Sequence, residues 1–308
     1  MINKLITRMK RIGILIPVFN KLELTKKCIE SLLPLIHSKN LKNTTSYLVV
    51  IDDGSEDGTA EWIEQNYPEV ILLKGDGNLW WSGGINRGAK YAIEKNDTDF
   101  VLLWNNDILP EATYFTELDK VINEISGNEI LGSKIYTLNP PDQVWAFGAL
   151  FNPRNGEKSM IGFEQADGEE FESVREVDWL PGMGTLVPVS TIEKIGYWDQ
   201  ENFPQYHGDS DFTYRAKING YKILVYPQLK LWNDSQNTGI SHQGKLSNLT
   251  RLLTDTRSIY HLKKNILFIK RFSTSYRAYW PLIISYYKLF GGFFKWKLLS
   301  FFGLKRAV

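Results

Sequence analysis

Four short apolar runs recur along the first hundred residues, and each ends in a polar cluster. Ile12-Gly13-Ile14-Leu15-Ile16-Pro17-Val18 stops at Phe19-Asn20, and Tyr47-Leu48-Val49-Val50-Ile51 stops at Asp52-Asp53-Gly54-Ser55. Val70-Ile71-Leu72-Leu73 runs into a Gly-rich turn, and Phe100-Val101-Leu102-Leu103-Trp104 into Asn105-Asn106-Asp107. Continuous apolar runs of this length read as strands buried on both faces. The segments between them carry apolar residues at helical spacing. Leu22 to Ile36 aligns Leu24, Cys28, Leu32 and Leu35, Asp57 and Thr59 can begin a helix through Trp62 and Ile63, and a third helix is predicted from about Gly83 to Glu94. The alternation predicts an α/β, Rossmann-like fold, a mostly parallel sheet flanked by helices on both faces. In such sheets ligands sit outside the carboxyl ends of the strands, where the polar clusters fall. Residues 130–250 hold shorter strand candidates, Val144 to Phe151 and Lys222 to Tyr226, with no obvious linker, so one domain is expected over residues 10–249.

From Thr250 the pattern changes. Leu252, Ile259, Leu262, Ile266, Ile269 and Phe272 recur near helical spacing among Arg257, Lys263, Lys264, Lys270 and Arg271. Tyr279 to Leu304 is rich in aromatic and aliphatic residues interrupted by Lys288, Lys295 and Lys297. Residues 250–308 therefore read as a basic, aromatic C-terminal helical extension. The net charge of +1 conceals the split, since twelve of the 36 Lys and Arg but only one of the 35 acidic residues lie there. Interfacial helices on an anionic membrane surface are one reading, placed slightly ahead. Helices packed on the body or on a second subunit are the other. Nucleic acid is not expected as a partner, because no recognised fold or motif accompanies the charge. The single cysteine, Cys28, excludes an intrachain disulfide, fits a reducing compartment, and reads as a small core residue. The basic segment Met1 to Arg11 lacks an apolar region and cleavage site, and is taken as a lead-in rather than a signal peptide. No window of eighteen residues is free of charge, so no spanning helix is expected. The expected location is cytoplasmic, peripheral at the inner face of the plasma membrane.

The polar clusters each admit two readings. Asp52-Asp53-Gly54-Ser55 is either an Asx-type turn with a helix cap or a carboxylate placed to accept a hydrogen bond from a nucleobase. The segment Gly77 to Gly88, with Asn78, Trp80, Trp81, Gly83, Gly84 and Asn86, matches neither a Walker A sequence nor the dinucleotide fingerprint. A helix starting near Ser82 or Gly83 would offer free N–H groups to an anion or ribose. Alternatively the glycines let the helix lie close on the sheet and the tryptophans are core. Asn105-Asn106-Asp107 could hold a hard cation beside a diphosphate, which needs few protein oxygens.

Taken in order, the clusters resemble inverting family-2 glycosyltransferases of the GT-A fold, rhamnosyltransferase-like surface-polysaccharide enzymes among them. Pro17-Val18-Phe19-Asn20 looks like the Pro-Val-Tyr-Asn opening, Asp52-Asp53-Gly54-Ser55 matches the Asp-Asp-Gly-Ser motif, and Gly77-Asn78 with Gly83 to Gly88 looks like the Gly-Asn…Asn-x-Gly segment. Asn105-Asn106-Asp107 stands where the Asp-x-Asp metal motif belongs. Gly182-Met183-Gly184-Thr185 is similar to the acceptor-bordering segment, and Gly208-Asp209-Ser210-Asp211-Phe212 with Arg215 resembles the Glu-Asp-x-Asp-Leu motif of the catalytic base. The resemblance spans about Gly13 to Tyr226.

It implies a transfer, with inversion, from a nucleoside-diphosphate sugar (UDP or dTDP) to a hydroxyl of a glycan or lipid-linked acceptor, in bacterial cell-surface polysaccharide synthesis. Phe19, Asn20 and Asp53, or Asp52 in its place, would hold base and ribose, with Pro17, Asn78, Gly84, Asn86, Asn105 and Asn106 completing the nucleotide pocket. Asp107 would bind Mg²⁺ or Mn²⁺, with His242 as a second ligand; a solvated loop histidine is the rival reading of His242. Asp209 would be the base, and Trp81, Gly182, Met183 and Asp211 would border the acceptor. Three positions depart from the pattern: Asn105 replaces Asp, Gly208 replaces Glu, and Ile85 stands where Arg is common, with Arg87 nearby. Asn105 and Gly208 favour the competing reading, a non-catalytic nucleotide- or glycan-binding module of the same fold. Retention of Asp107 and Asp209 favours the enzyme. A sugar-phosphate nucleotidyltransferase would want a Gly-rich, Arg-containing N-terminal signature that Gly13 to Asn20 does not supply.

Overall fold

The computed structural model describes residues 8–234 and 246–301. In chain order the first half runs β1 (Lys10–Val18), α1 (Leu22–Ile36), β2 (Thr44–Asp52), α2 (Thr59–Asn66), β3 (Ile71–Lys74), α3 (Trp80–Asn96), β4 (Phe100–Leu103), β5 (Ile108–Pro110) and α4 (Tyr114–Val121). Then come β6 (Glu129–Thr137), β7 (Gln143–Ala146), β8 (Ala149–Phe151), β9 (Lys158–Met160), β10 (Gln165–Ala166), β11 (Arg175–Glu176), β12 (Thr185–Pro188), α5 (Val189–Ile195), α6 (Gly208–Ile218) and β13 (Lys222–Asn233). The chain closes with α7 (Leu246–Thr254), α8 (Leu262–Phe272) and α9 (Trp280–Phe301).

The main sheet has the order β10-β7-β6-β12-β4-β1-β2-β3. The β3-β2-β1-β4 part is parallel. β12 enters antiparallel between β4 and β6, and β13 lies parallel to β6 while its end pairs antiparallel with β5. The chain crosses from one side of β1 to the other between β3 and β4. The crevice at the carboxyl ends of β1 and β4 is thus a topological switch point, the usual place for a ligand in an open sheet.

Strand alternation sorts the core into two layers. Ile12, Ile14, Ile16 and Val18 of β1 pack with Cys28, Ile29 and Leu32 of α1, while Leu15, Val49 and Ile51 pack with Ile85, Ala89 and Ala92 of α3. Cys28 is buried and free, as a core residue should be. The glycines of α3 set its distance from the sheet. A Cβ on Gly84 would lie 3.0 Å from Pro17, and one on Gly88 would lie 2.9 Å from Ile51.

Two elements differ from expectation. The predicted strand Val144 to Phe151 is broken at Gly148, whose φ of 70° turns the chain between β7 and β8 and whose α-carbon faces Val177 and Val225 too closely for a side chain. α3 starts at Trp80, a turn before the expected Gly83, because the Asp53 carboxylate accepts hydrogen bonds from Gly77, Leu79 and Trp80 N–H at 2.9–3.1 Å. The basic tail also divides. Phe268, Ile269 and Phe272 of α8 form one cluster with Phe151, Trp179, Phe203 and Tyr214 of the body. α9, by contrast, leaves Trp280, Ile283, Ile284, Tyr287 and Phe294 exposed. Among the described residues no helix is long and apolar enough to cross a membrane.

Candidate active site

At the carboxyl ends of β1 and β2 the polar residues first hold one another. Ser55 Oγ accepts from Asn20 N–H (2.7 Å), the Asn20 side-chain oxygen accepts from Glu56 N–H (3.0 Å), and Asp52 accepts from Ser55 N–H (2.9 Å). This staple holds Asn20 at a left-handed φ of 56° and leaves Phe19 projecting, 57% exposed, at the mouth of the crevice. Asp52 makes the Asx-type turn and Asp53 caps α3, so the carboxylate weighed as a nucleobase acceptor is already bonded to three backbone N–H groups. Asn78 is exposed on the loop before α3, its N–H bonded to Asp76 (3.1 Å).

The start of α3 corrects one expectation. Its first N–H groups are not free for an anion. Leu79 and Trp80 donate to Asp53, Trp81 donates to Gln205 Oε1 (3.3 Å), and Ser82 donates to Pro204 O (2.8 Å). Gly84 faces Pro17 in the helix–sheet contact. Asn86 is likewise turned inward. Its amide donates to Trp198 O and Gln200 Oε1, both at 2.8 Å, and its oxygen accepts from Trp198 N–H, so this side chain clamps the loop before α6. Ile85 is wholly buried and Arg87 exposed.

Trp81 bridges the Asn105 and Gly182 ends of the crevice. Its Nε1 donates to the Asn105 side chain (3.1 Å). Its six-membered ring fills the space over Gly182, where a Cβ would lie 2.2 Å from Cζ2. Gly182 N–H in turn donates to Asp209 Oδ2 (3.1 Å), and Asp209 Oδ1 accepts from Ser210 N–H (2.7 Å) in the first turn of α6. A chain of contacts thus runs from Asn105 through one indole to Asp209. The Gly208 departure has a packing cause: a Cβ there would meet Ser82 Oγ at 2.1 Å and Phe203 O at 3.1 Å. Met183 is buried in the core beside Leu186. Asp211, expected at the acceptor, is fully buried and paired with Arg215 of α6 (2.9 Å) and with Arg271 of α8.

Electrostatics single out two carboxylates. Burial pushes the Asp107 carboxyl up to about 6, with Asp234 adding repulsion, and its Oδ1 is buried without a hydrogen-bond partner. Burial also raises Asp209, against the charge of Lys158 and the two N–H donors, which pull it down. Asn106 is tied to Thr25 of α1 (3.0 Å) and Asn105 to Trp81, so Asp107 alone of the three presents an orphaned oxygen. On the facing strand Asn233 Oδ1 is a second buried, unpartnered oxygen, and Asp234 N–H donates to Asp107 O (3.0 Å). Hard oxygen donors left unsatisfied at a strand end suit Mg²⁺ or Mn²⁺. Among the described residues no three His, Cys, Asp or Glu side chains cluster, and His242 lies outside the described residues. Sequence reasoning missed Asn233 and Lys158, and read Arg271 only as part of the basic tail. Asn233 closes a long strand, and no motif surrounds Lys158 in the sequence.

With this geometry in place, comparison with known proteins gives a consistent picture. Residues 13–136 match the family described as Glycosyl transferase family 2. The chain is 25% identical over 178 residues to the low-salt glycan biosynthesis hexosyltransferase Agl10 of Haloferax volcanii, covering 57% of this chain and 54% of that protein. It is 22% identical over 237 residues to the poly-beta-1,6-N-acetyl-D-glucosamine synthase of Staphylococcus aureus, covering 74% and 50% respectively. The chain thus spans about half the length of the curated relatives it matches. Among solved structures, GalNAc-T7 with UDP, GalNAc and Mn²⁺ superposes with a TM-score of 0.57 at 11% identity, over 91% of this chain and 57% of that one. The chain has the GT-A fold, a mixed, mostly parallel sheet flanked by helices with a helical C-terminus.

Proposed function

We propose that the chain is an inverting glycosyltransferase that moves a sugar from a nucleoside diphosphate to an acceptor hydroxyl, with residues 10–249 as its GT-A unit. The observation that carries this reading is the single indole of Trp81 joining Asn105, beside Asp107, to the Gly182–Asp209 pair. A donor with its diphosphate at the first group presents its anomeric carbon toward the second. Phe19, Asn20 and the Asp52–Ser55 turn would border the base and ribose. Asp107 would hold the divalent cation, which supplies positive charge against that developing on the leaving diphosphate. Asp209 takes the proton of the acceptor hydroxyl as its oxygen bonds to the anomeric carbon and the bond to the diphosphate breaks on the opposite face. A raised carboxyl pKa suits a base that works near neutrality. The start of α6 stabilises the carboxylate through the Ser210 N–H that Asp209 Oδ1 accepts.

The test is a donor screen that measures release of UDP, dTDP or GDP, with and without Mn²⁺. Metal-dependent release from a UDP- or dTDP-linked hexose or rhamnose is expected. A well-folded protein that binds UDP yet releases nothing with any donor and any acceptor glycan would instead be the non-catalytic module.

The exposed face of α9 supports an anionic membrane surface as the seat of the enzyme, at the cytoplasmic face if the acceptor is lipid-linked. Tyr276, Trp280, Ile283, Ile284, Tyr287 and Phe294 are exposed beside Arg277, Lys288 and Lys295, and α9 contains no acidic residue. Removing the whole extension would also strip α8 from the body, so the informative change is local. The double variant Trp280→Glu, Tyr287→Glu is expected to lose binding to phosphatidylglycerol vesicles by at least about tenfold, since each change removes apolar area and adds a repelled charge. Equal sedimentation of the two proteins with vesicles would overturn this seat.

A further inference from the structure

Beneath Asp209 lies a half-buried lysine that the transfer chemistry does not use. Lys158, on the three-residue strand β9, donates its Nζ to Ser210 Oγ (2.8 Å), the residue whose N–H holds Asp209 Oδ1. The same Nζ lies 3.3 Å from His207 Nδ1, 4.1 Å above the Trp179 ring and 4.6 Å from the Phe268 ring. Phe268 belongs to α8, so the C-terminal extension closes one wall of this chamber. His207, held at the same point by Asn265 of α8 (2.6 Å) and stacked on Phe268, closes another.

We propose, resting on the reading of Asp209 as the base, that Lys158 is a positioning residue which keeps the Asp209 carboxylate ionised, and that α8 serves catalysis by holding Lys158 in place behind it through Phe268 and the Asn265–His207 contact. The physical case is a comparison of the charges that face Asp209. Asp211 is neutralised by Arg215 and Arg271, and Asp199 is also taken by Arg271. His207 is pushed down to about 3 by burial and by Lys158, so it stays neutral, its Nδ1 accepting from Lys158 and its Nε2–H donating to Asn265. Lys264 of α8 acts on His207 but no described group bonds its Nζ. Lys158 is left as the cation that acts on the Asp209 charge. Burial lowers it to about 8, while Asp209 and Asp211 hold it up, so Lys158 keeps its charge at neutral pH. In a seat walled by Trp179 and Phe268, a unit charge one residue away acts more strongly than it would in water.

Sign and size follow. Without the ammonium the burial of Asp209 is opposed only by its backbone N–H donors, and its carboxyl rises further. Lys158→Met, which fills the same space without charge, is expected to move the acid limb of the kcat/KM profile up by about one pH unit or more. Lys158→Arg is expected to leave it within about 0.3 unit, since charge rather than shape is the cause. The same shift is read without turnover by titrating the carboxyl carbons of ¹³C-aspartate-labelled protein, with the Asp209 signal assigned by its absence in Asp209→Asn. An Asp209 signal with the same midpoint in wild type and Lys158→Met, both with native melting transitions, would overturn the inference. Retained turnover in Asp209→Asn would instead overturn the base assignment, while the ¹³C titration still reports the Lys158 effect.

Discussion

Asp209→Asn is expected to lower kcat by roughly 10²–10⁴-fold, the usual contribution of a general base, with nucleoside-diphosphate affinity essentially unchanged. The amide matches the carboxylate in shape, and its oxygen can still accept from Gly182 or Ser210, the two donors that hold Asp209 in place. What it cannot do is take a proton. The two measurements that separate chemistry from damage are kcat under donor saturation and UDP binding by calorimetry in the presence of Mn²⁺. A variant that keeps more than about a tenth of the wild-type kcat would remove Asp209 from the role of base. A variant that loses binding as well would point to a collapsed α6, which the melting transition would show. Gly208 does not weaken this expectation, because Ser82 Oγ and Phe203 O occupy the space a glutamate side chain would need.

Which parts of this site could be read in the chain follows from how local each signal is. The strands β1, β2 and β4 and the helix α1 were legible because a buried strand or an amphipathic helix writes its burial into consecutive residues. Leu22–Ile36 is found where its apolar spacing put it. The strand-end clusters were legible for the same reason, and the switch point between β1 and β4 gathers them. The start of α3 was misjudged because its cap, Asp53, comes from another strand end 27 residues earlier. Gly84 and Asn86 carried two readings, and the choice depended on Pro17, Trp198 and Gln200, none of which is near them in sequence. The tail was the least legible part. Its charge count suggested one surface, yet Arg271 is spent on Asp199 and Asp211 inside the molecule while α9 remains exposed. Composition cannot separate a cation that meets lipid from one that meets a carboxylate 60 residues away.

Asp107→Asn should have opposite effects on stability and on function. The carboxylate is held in a poorly solvated place with one oxygen unpartnered and with Asp234 repelling it. Such a charge costs folding free energy, on the order of 1–3 kcal/mol for an unsatisfied buried group. Its removal should raise the melting temperature of the metal-free protein by roughly 2–6 °C for a domain of this size. The pH dependence has a definite sign. With its pKa raised to about 6, the folded state holds a proton at Asp107 that the unfolded chain has already lost above about pH 4. Stability from this group therefore falls as pH rises between those values, and the advantage of the variant should grow from pH 4 to pH 7. Function should move the other way. Mn²⁺ affinity, measured by calorimetry or by electron paramagnetic resonance with UDP present, is expected to drop roughly 10- to 100-fold, the scale set by disturbing a metal's ligand environment, and turnover with it. On the proposed role of Asp107, proton and metal would compete for the same oxygen, so Mn²⁺ binding should weaken as the pH falls through 6. A metal-free variant less stable than wild type at pH 7 would make Asp107 a structural residue, and unchanged Mn²⁺ affinity would place the cation elsewhere. Higher stability paired with lost metal binding is the result expected of a carboxylate kept unsatisfied for a cation, the role proposed for Asp107.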